Sequence, residues 1–89
     1  MLALSNFMER LVREKVDSII KSVGMCGCEQ CRLDVMALAL NALPPKYVVT
    51  EKGEIYTRLD GMREQIAADV VRELTKAAEV VSGNPRHEA

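Results

Sequence analysis

The stretch RLDVMALALNALPP (Arg32–Pro45) decides the fold class of this chain. Alanine, leucine and methionine favour a helix, and Asp34 lies in the first turn, where the helix dipole favours a carboxylate. The pair Pro44–Pro45 cannot continue a helix, so the pattern predicts a helix over residues 31–43. Beyond Asp34, its only polar side chain is Asn41. A helix that is apolar on nearly every side is typical of one buried all round.

A chain of 89 residues makes one small domain, which we assign to residues 1–89. A domain of this size buries only roughly 60–65 % of its unfolded surface, and three or four elements cannot cover a helix on every side. A subunit interface is the simplest explanation for the remaining apolar surface. The sequence therefore predicts a homodimer that associates through helices.

Two amphipathic helices are predicted on either side of this apolar segment. The first follows Asn6, which forms a pattern like a capping box with Glu9, and it ends at Gly24. Its apolar positions recur at helical spacing. They are Phe7, Leu11, Val12, Val16, Ile19, Ile20 and Val23.

The last helix is predicted to begin near Thr57 and Asp60, or a few residues later because Gly61 weakens the start. Serine, glycine, asparagine and proline end it, leaving a polar tail over residues 82–89. Its apolar positions also follow the helical period. They are Met62, Ile66, Val70, Leu74, Ala77 and Val81.

Between the second and third helices the pattern changes to β-like. YVVT (Tyr47–Thr50) and IYTR (Ile55–Arg58) flank four residues in which Gly53 can supply a turn. The Pro-Pro motif also allows an extended excursion without a partner strand. The predicted fold class is therefore mainly α: three main helices with a short β-like or extended excursion after the Pro-Pro motif.

Composition excludes several classes of function. Twelve basic and thirteen acidic residues are interleaved, so no basic surface for a nucleic-acid polymer is expected. Aromatic residues make up only 3 % of the chain, too few for a platform that stacks single-stranded bases. No signal peptide or apolar run long enough for a membrane span is seen, so we expect a cytoplasmic protein without membrane contact.

Three cysteines precede the apolar helix in a Cys-x-Cys-x-x-Cys pattern formed by Cys26, Cys28 and Cys31. A Cys-x-x-Cys pair across a turn brings two sulfurs to one tetrahedral ion, and Gly27 lets the backbone bend so that Cys26 can approach. The pattern predicts a structural Zn²⁺ site, because three thiolates and no adjacent general base suit structure better than catalysis.

A zinc ion held by three thiolates needs a fourth ligand. His87 is the only histidine of the chain, and it can complete a Cys₃His site if the last helix returns antiparallel to the second. Otherwise the fourth ligand is Glu29, Asp34, Glu88, water or a residue of a second subunit.

Other uses of the cysteines stay open. Cys28 and Cys31 can act as a thiol redox switch, although the strand that precedes a thioredoxin-like Cys-x-x-Cys motif is missing here. Three inert buried thiols are a further alternative, although a hydrophilic, glycine-containing loop is a poor place to bury them. An iron–sulfur cluster in the usual pattern requires a fourth cysteine. We expect the protein to have no enzymatic activity, since its sequence contains no plausible nucleophile–base pair and no glycine-rich phosphate loop.

The pattern Asn6-x-x-Glu9, followed by CGCEQCRLDVMALALNALPPKYV (Cys26–Val48), resembles the late competence development protein ComFB family of bacteria. The ALN-x-LPP-x-Y string that ends at Tyr47 carries the resemblance more specifically than the cysteines do. The resemblance implies a small cytosolic helical protein that forms symmetric homodimers and, in members with these cysteines, binds zinc. It further implies a regulatory or adaptor role related to competence. Where a cysteine would complete the zinc site, this chain offers His87.

Other members of the family are receptors for cyclic dinucleotide second messengers, including cyclic di-GMP. The resemblance therefore implies a second hypothesis, a nucleotide pocket lined by Arg32, Tyr47, Thr50 and Arg58. In such a pocket the ring stacks on guanine and the guanidinium groups pair with phosphates. The simpler interpretation of the proline motif is a helix stop that fixes a turn.

Overall fold

The computed structural model describes residues 2–51, 54–55 and 63–84. It confirms the mainly α fold class, with three helices and a small antiparallel sheet. In chain order the elements are β1 (Leu2–Asn6), α1 (Phe7–Val23), α2 (Glu29–Ala42), β2 (Tyr47–Glu51), β3 (Glu54–Ile55) and α3 (Arg63–Gly83).

The core lies between the three helices, with α3 packed against both α1 and α2. The predicted periods of α1 and α3 agree with the observed burial. Val12 and Val16 on α1 and Val70 and Leu74 on α3 are fully buried. Each such side chain contributes roughly 1.5–3 kcal/mol relative to its exposed state. Apolar periodicity therefore predicted which faces of these two helices meet.

Helix α2 differs from its prediction at its ends and on one face. It begins at Glu29, two residues earlier than predicted, because Cys28 acts as its N-cap, and it ends at Ala42. Within the chain it is not buried all round: Leu33 and Leu38 are 45 % and 43 % exposed. The other helices cover only the side of α2 that carries its buried residues.

The sheet was predicted only in part. No strand was predicted at the N-terminus, yet β1 pairs antiparallel with β2, and Leu4 lies opposite Val49. Among the described residues, strand β3 comprises Glu54 and Ile55 and pairs antiparallel with β2; residues 56–58 of the predicted IYTR strand lie outside the described residues. The excursion after the Pro-Pro motif therefore has a partner strand.

Asn6 joins the sheet to the helices. Its side-chain oxygen Oδ1 accepts a hydrogen bond from the backbone N–H of Met8 (3.2 Å) and a second from that of Lys46 (3.0 Å). The next residue, Phe7, donates its N–H to the carbonyl of Lys46 (2.6 Å). Asn6 therefore caps the N-terminus of α1, as predicted. Glu9 does not complete the capping box in the expected way: its carboxylate accepts from Arg13.

The C-terminal end of α1 agrees with its prediction, whereas that of α3 lies further along the chain. Gly24 ends α1 as predicted, with a left-handed φ of 79°, and its N–H donates to the carbonyl of Ile20. Helix α3 extends through Gly83, so residues 82 and 83 belong to the helix and not to the predicted polar tail. Its predicted start at Thr57–Asp60 and residues 85–89 of the tail lie outside the described residues. Over the described part of the chain, none of the helices has the length and apolarity that crossing a membrane requires.

Candidate metal centre

The cysteine cluster lies where α1 turns into α2. The left-handed conformation of Gly24 reverses the chain at the end of α1, and Cys28 begins α2. Gly27, which we predicted to provide the bend, does not have a positive φ. A Cβ atom at Gly27 would meet only Ile20 Cγ2, at an ordinary contact distance of 3.9 Å. The turn therefore depends on Gly24 and not on Gly27.

The structure brings together the three predicted cysteine ligands. The Sγ atoms of Cys26, Cys28 and Cys31 all lie within 4.8 Å of one another. Cys26 is exposed, Cys28 is half-buried and Cys31 is buried, so the cluster extends from the surface into the core. Thiolates on a tetrahedral zinc ion, with Zn–S bonds of about 2.3 Å, lie about 3.8 Å apart. The sulfur spacing therefore fits one shared ion after small side-chain movements.

Local backbone structure holds two of the sulfurs at the start of α2. The Sγ atom of Cys28 accepts a hydrogen bond from the N–H of Cys31 (3.5 Å), and the Cys28 carbonyl accepts from the N–H of Arg32 (2.9 Å). Unpaired amides and the helix dipole at an N-terminus favour negative charge. The same turn therefore places the thiols where the helix dipole opposes, but does not overcome, the effect of burial on the ionisation of Cys31.

The surroundings of Cys31 disfavour its thiolate when no cation is bound. Burial raises the pKa of the Cys31 thiol from 9.0 to about 12, and hydrogen bonds and charge repulsion from Cys28 and Cys26 add to the rise. A bound dication reverses this preference, because it favours the thiolate over the thiol. Three soft sulfur donors at this spacing suit zinc better than calcium or magnesium, which prefer oxygen.

A fourth side-chain donor does not join the three sulfurs among the described residues. In residues 2–51, 54–55 and 63–84, Cys26, Cys28 and Cys31 are the only His, Cys, Asp or Glu side chains that form such a group. Glu29 and Asp34, both predicted alternatives, are outside it, and Asp34 Oδ1 accepts a hydrogen bond from Gln30. His87 and Glu88 lie outside the described residues.

A salt bridge that the sequence did not predict links α1 to α2 next to the cluster. Arg32 Nε lies 2.9 Å from Asp17 Oδ1, which connects the first turn of α2 to α1. Along its own helix, Asp17 has Arg13 and Lys21 four residues away on either side, a spacing that favours weak pairing. A contact between residues 15 positions apart depends on how α1 and α2 pack, and no local spacing signals it.

The described residues of the predicted nucleotide pocket do not converge. Arg32 is in the first turn of α2, whereas Tyr47 begins β2 beyond the opposite end of that helix. The ten residue steps from Arg32 to Ala42 correspond to about 15 Å along the helix axis. The hydroxyl of Thr50 donates to the carbonyl of Ala3 (3.4 Å), and Arg58 lies outside the described residues.

An open groove of about 410 Å³ lies elsewhere, along the outer face of α1. Its two cations are paired: Arg13 lies 3.2 Å from Glu9, and Arg10 lies 3.5 Å from Glu14. With two arginines and two glutamates it has no excess charge to attract a phosphate. It is lined by Ser5, Asn6, Glu9, Arg10, Arg13 and Glu14.

Comparison with known proteins identifies relatives over nearly the whole chain. The family model described as "Late competence development protein ComFB" matches residues 5–85. "Competence protein ComFB" of Bacillus subtilis (strain 168) is 34 % identical over 83 residues, which cover 92 % of this chain and 85 % of that protein.

A solved structure agrees with the fold. It is described as a structural characterization of the late competence protein ComFB from Bacillus subtilis, and it superposes with a TM-score of 0.73 at 34 % identity. The match covers 93 % of this chain and 92 % of the other. The arrangement of the three helices is therefore one that a related protein adopts.

Proposed function

This chain belongs to the ComFB family of late competence development proteins, and from that premise we propose that it is a non-enzymatic, zinc-binding, homodimeric regulatory or adaptor protein. Its role is to present a metal-stabilised surface to a partner rather than to transform a substrate. The family membership supports the competence-related part of the proposal. The cysteine cluster supports the metal.

The observation that carries the proposal is the convergence of three sulfurs within 4.8 Å at the start of α2. In a structural zinc site the ion crosslinks the segments that supply its ligands, and a small core gains stability from this link. Cys26 belongs to the loop after α1, while Cys31 belongs to α2 and is buried in the core. Zinc would therefore fix the loop between α1 and α2 relative to the core.

Metal analysis of protein purified without chelators tests this part of the proposal. We expect about one zinc ion per chain in the wild type, and a clear loss of zinc and of thermal stability in Cys28→Ser. The matched control is Gln30→Ala, an exposed change in the first turn of α2 that removes no metal ligand. It should keep its zinc.

Two results would count against zinc. One is wild-type protein that contains no zinc after exposure to a stoichiometric amount of the ion. The other is Cys28→Ser protein that retains both the zinc content and the melting temperature of the wild type. Zinc content measured in His87→Ala at the same time would show whether His87 is the fourth ligand, because its loss should weaken zinc binding only if it coordinates the ion.

The homodimer is the second part of the proposal. It is supported by the exposed apolar side chains Leu33 and Leu38 on α2 and Leu2 and Leu4 on β1, which one copy leaves uncovered within its described residues. Sedimentation over a range of concentrations tests it directly. The expected mass rises from 9.9 kDa towards twice that value. A mass that stays at 9.9 kDa up to millimolar protein would rule out the dimer.

Cyclic di-GMP binding stays a prediction. Its support is the family resemblance and the exposed ring of Tyr47, which is available for stacking. Titration calorimetry with cyclic di-GMP should show heat at micromolar concentrations that Tyr47→Ala reduces and Tyr47→Phe preserves. The absence of heat with wild-type protein would remove this hypothesis.

The thiol redox switch also stays a prediction. Thiol–disulfide exchange with a low-molecular-weight disulfide would join Cys28 and Cys31 through a mixed disulfide, and the oxidant would leave as two thiols that carry the two electrons and the two thiol protons. The close approach of the sulfurs favours such a bond, whereas bound zinc opposes it by occupying the thiolates. Mass spectrometry after mild oxidation tests the switch, and a protein that keeps both zinc and free thiols would exclude it.

A further inference from the structure

The three sulfurs of the cluster converge from different depths of the molecule. Cys31 is buried in the main core, in the same group of side chains as Ile20 and Val35. Cys28 is half-buried at the cap of α2, and Cys26 is exposed on the loop. A ligand that reaches all three sulfurs therefore enters from the surface beside Cys26 and ends with one bond to a sulfur in the core.

This arrangement limits the charge that a bound group can carry. A buried charge costs free energy unless it is paired and hydrogen-bonded. Arg32, in the same helical turn, lies 2.9 Å from Asp17, so its charge is already paired. Three thiolates exceed the charge of a zinc dication by one, and that of copper(I), another ion that soft sulfur ligands select, by two. A trivalent centre is the one that three thiolates neutralise.

Three donors are also a complete set of ligands for a trivalent centre. Trivalent arsenic makes three covalent bonds, and its lone pair takes the fourth position of a tetrahedron. Zinc in a structural site instead has four ligands. Within residues 2–51, 54–55 and 63–84, the metal-binding group comprises the three cysteines. The described cluster therefore matches the valence of arsenic(III) without a further ligand.

We propose that Cys26, Cys28 and Cys31 form a capture site for trivalent arsenic, which arrives as arsenite in its neutral form As(OH)₃. Each thiol replaces one hydroxyl group: an arsenic–sulfur bond forms, an arsenic–oxygen bond breaks, and the thiol proton leaves with the hydroxyl as water. Three such steps release three waters. Arsenic stays trivalent throughout, so no oxidant or reductant takes part, and the product is a neutral tris-thiolate.

Capture of arsenic uses the same sulfurs as the proposed zinc site, but it does not require zinc. In the metal-free chain, arsenite reacts with three thiols. In the zinc-loaded chain, arsenite displaces the metal as free Zn²⁺, and three protons from the solvent combine with the three hydroxyl groups to give the same three waters. The final complex is the same by either route.

The loop can bring the sulfurs to bonding distance from arsenic. The Sγ atoms lie within 4.8 Å of one another and must approach more closely around a single atom. The start of α2 fixes two of them, because Cys28 Sγ accepts a hydrogen bond from the N–H of Cys31 (3.5 Å). Among the described residues, the backbone groups of Cys26 and Gly27 form no hydrogen bonds with other backbone groups. Cys26 is therefore the sulfur that moves.

Exposure also sets the order in which the bonds form. Arsenite meets Cys26 first, because this thiol is exposed and the other two are covered to increasing degrees. The first bond then holds arsenic beside Cys28 and Cys31 at an effective concentration on the order of millimolar, which makes the second and third bonds intramolecular. Capture therefore depends on Cys26.

Titration of the metal-free, reduced full chain with arsenite tests this proposal, with intact-mass spectrometry as the readout. We expect one arsenic per wild-type chain and the loss of three thiol protons. Cys26→Ser should bind arsenic about a hundredfold more weakly, because two sulfur bonds replace three. This variant should fold, which circular dichroism checks, because Cys26 is exposed and Cys28 supplies the cap of α2. Wild-type affinity in Cys26→Ser would overturn the proposal.

X-ray absorption at the arsenic edge provides a readout that only three-sulfur binding gives. We expect three sulfur neighbours in the wild type, and two sulfurs with one oxygen in Cys26→Ser. An oxygen neighbour in the wild type would overturn the proposal. The matched control is His87→Ala, which removes the predicted fourth zinc ligand and no sulfur. Its arsenic affinity should stay within about twofold of the wild type, and a larger loss would contradict a site made of three sulfurs alone.

Zinc content, measured separately on the same proteins, keeps this proposal apart from the zinc site. A chain that binds zinc and fails to bind arsenite refutes only the capture of arsenic. A chain that binds arsenite through three sulfurs and fails to bind zinc supports the capture and refutes only the zinc site.

Discussion

The two ends of α2 are held in place by different kinds of contact. At its first turn, Cys28 and Cys31 lie three positions apart in the sequence, and their sulfurs come close because a helix begins there. Past its last turn, the Pro44–Pro45 pair leads into a strand that pairs with residues near the N-terminus, more than 40 positions away. The first end is organised by local spacing and the second by long-range pairing.

This difference determines what happens when either end is disturbed. A metal site built on one turn and one loop can be emptied without breaking the sheet. The sheet end instead depends on Asn6, whose one oxygen serves a helix cap and a distant loop together. We therefore expect local losses at the cysteine end and coupled losses at the Asn6 end.

Removal of zinc should have the largest effect. A chelator should lower the free energy of unfolding by about 4 kcal/mol if free zinc was about a thousandfold above its dissociation constant. Thermal unfolding with and without chelator measures this loss. Hydrogen exchange should show it concentrated in the loop after α1 and the first turn of α2, with the β1–β2 amides still protected. An equal loss of protection in the sheet would contradict the separation of the two ends.

Asn6→Ala should have the next largest effect, a destabilisation of about 2–3 kcal/mol. Loss of a helix cap accounts for about 1 kcal/mol, and the Lys46 N–H left without its partner adds about 1–2 kcal/mol. Asn6→Asp is the matched control, because a carboxylate keeps an acceptor at the same position and should stay within about 0.5 kcal/mol of the wild type. Urea denaturation measures both. Equal stabilities of the two variants would show that Oδ1 does not join these segments.

The glycines in the loop between α1 and α2 provide a smaller, local comparison. Gly24→Ala should destabilise by about 1 kcal/mol, because a Cβ atom is disfavoured at its φ of 79°. Gly27→Ala should lie within about 0.5 kcal/mol of the wild type, since its nearest neighbour is at 3.9 Å. Thermal unfolding of the zinc-loaded proteins ranks them, and a larger loss for Gly27→Ala would restore the sequence-based assignment of the bend to that residue.

Sequence reasoning predicted the features that depend on local spacing. The buried faces of α1 and α3, the cap at Asn6 and the three-cysteine cluster each follow from residues within one or a few helical turns. It missed β1 because five residues, LALSN, carry too short a pattern to distinguish a strand from a frayed helix start. Their strand character comes from the partner β2, which local spacing cannot show.

The same limit explains the two errors around the metal cluster. Gly27 seemed the natural bend because it lies between two cysteines, but the reversal occurs at the helix end, where Gly24 adopts the left-handed conformation. Asp17 has two basic residues at helical spacing, Arg13 and Lys21, but its partner is Arg32 on the neighbouring helix α2. The packing of α1 against α2 determined the partner of Asp17, whereas Gly24 is a local helix end that the sequence did predict.

The salt bridge between Asp17 and Arg32 gives the smallest predicted effect and tests how strongly α1 supports the metal end. Asp17 is 72 % exposed, so water screens the pair and the interaction should contribute only about 0.2–1 kcal/mol. A double-mutant cycle with Asp17→Asn and Arg32→Gln measures this coupling, and it should shrink as salt rises from low to molar concentration. The same variants should keep their zinc, because the cysteines and the Cys28 cap do not depend on the pair. Weaker zinc binding in either single variant would instead mean that the position of α1 is part of the metal site, and that the cysteine end is less local than its spacing indicates.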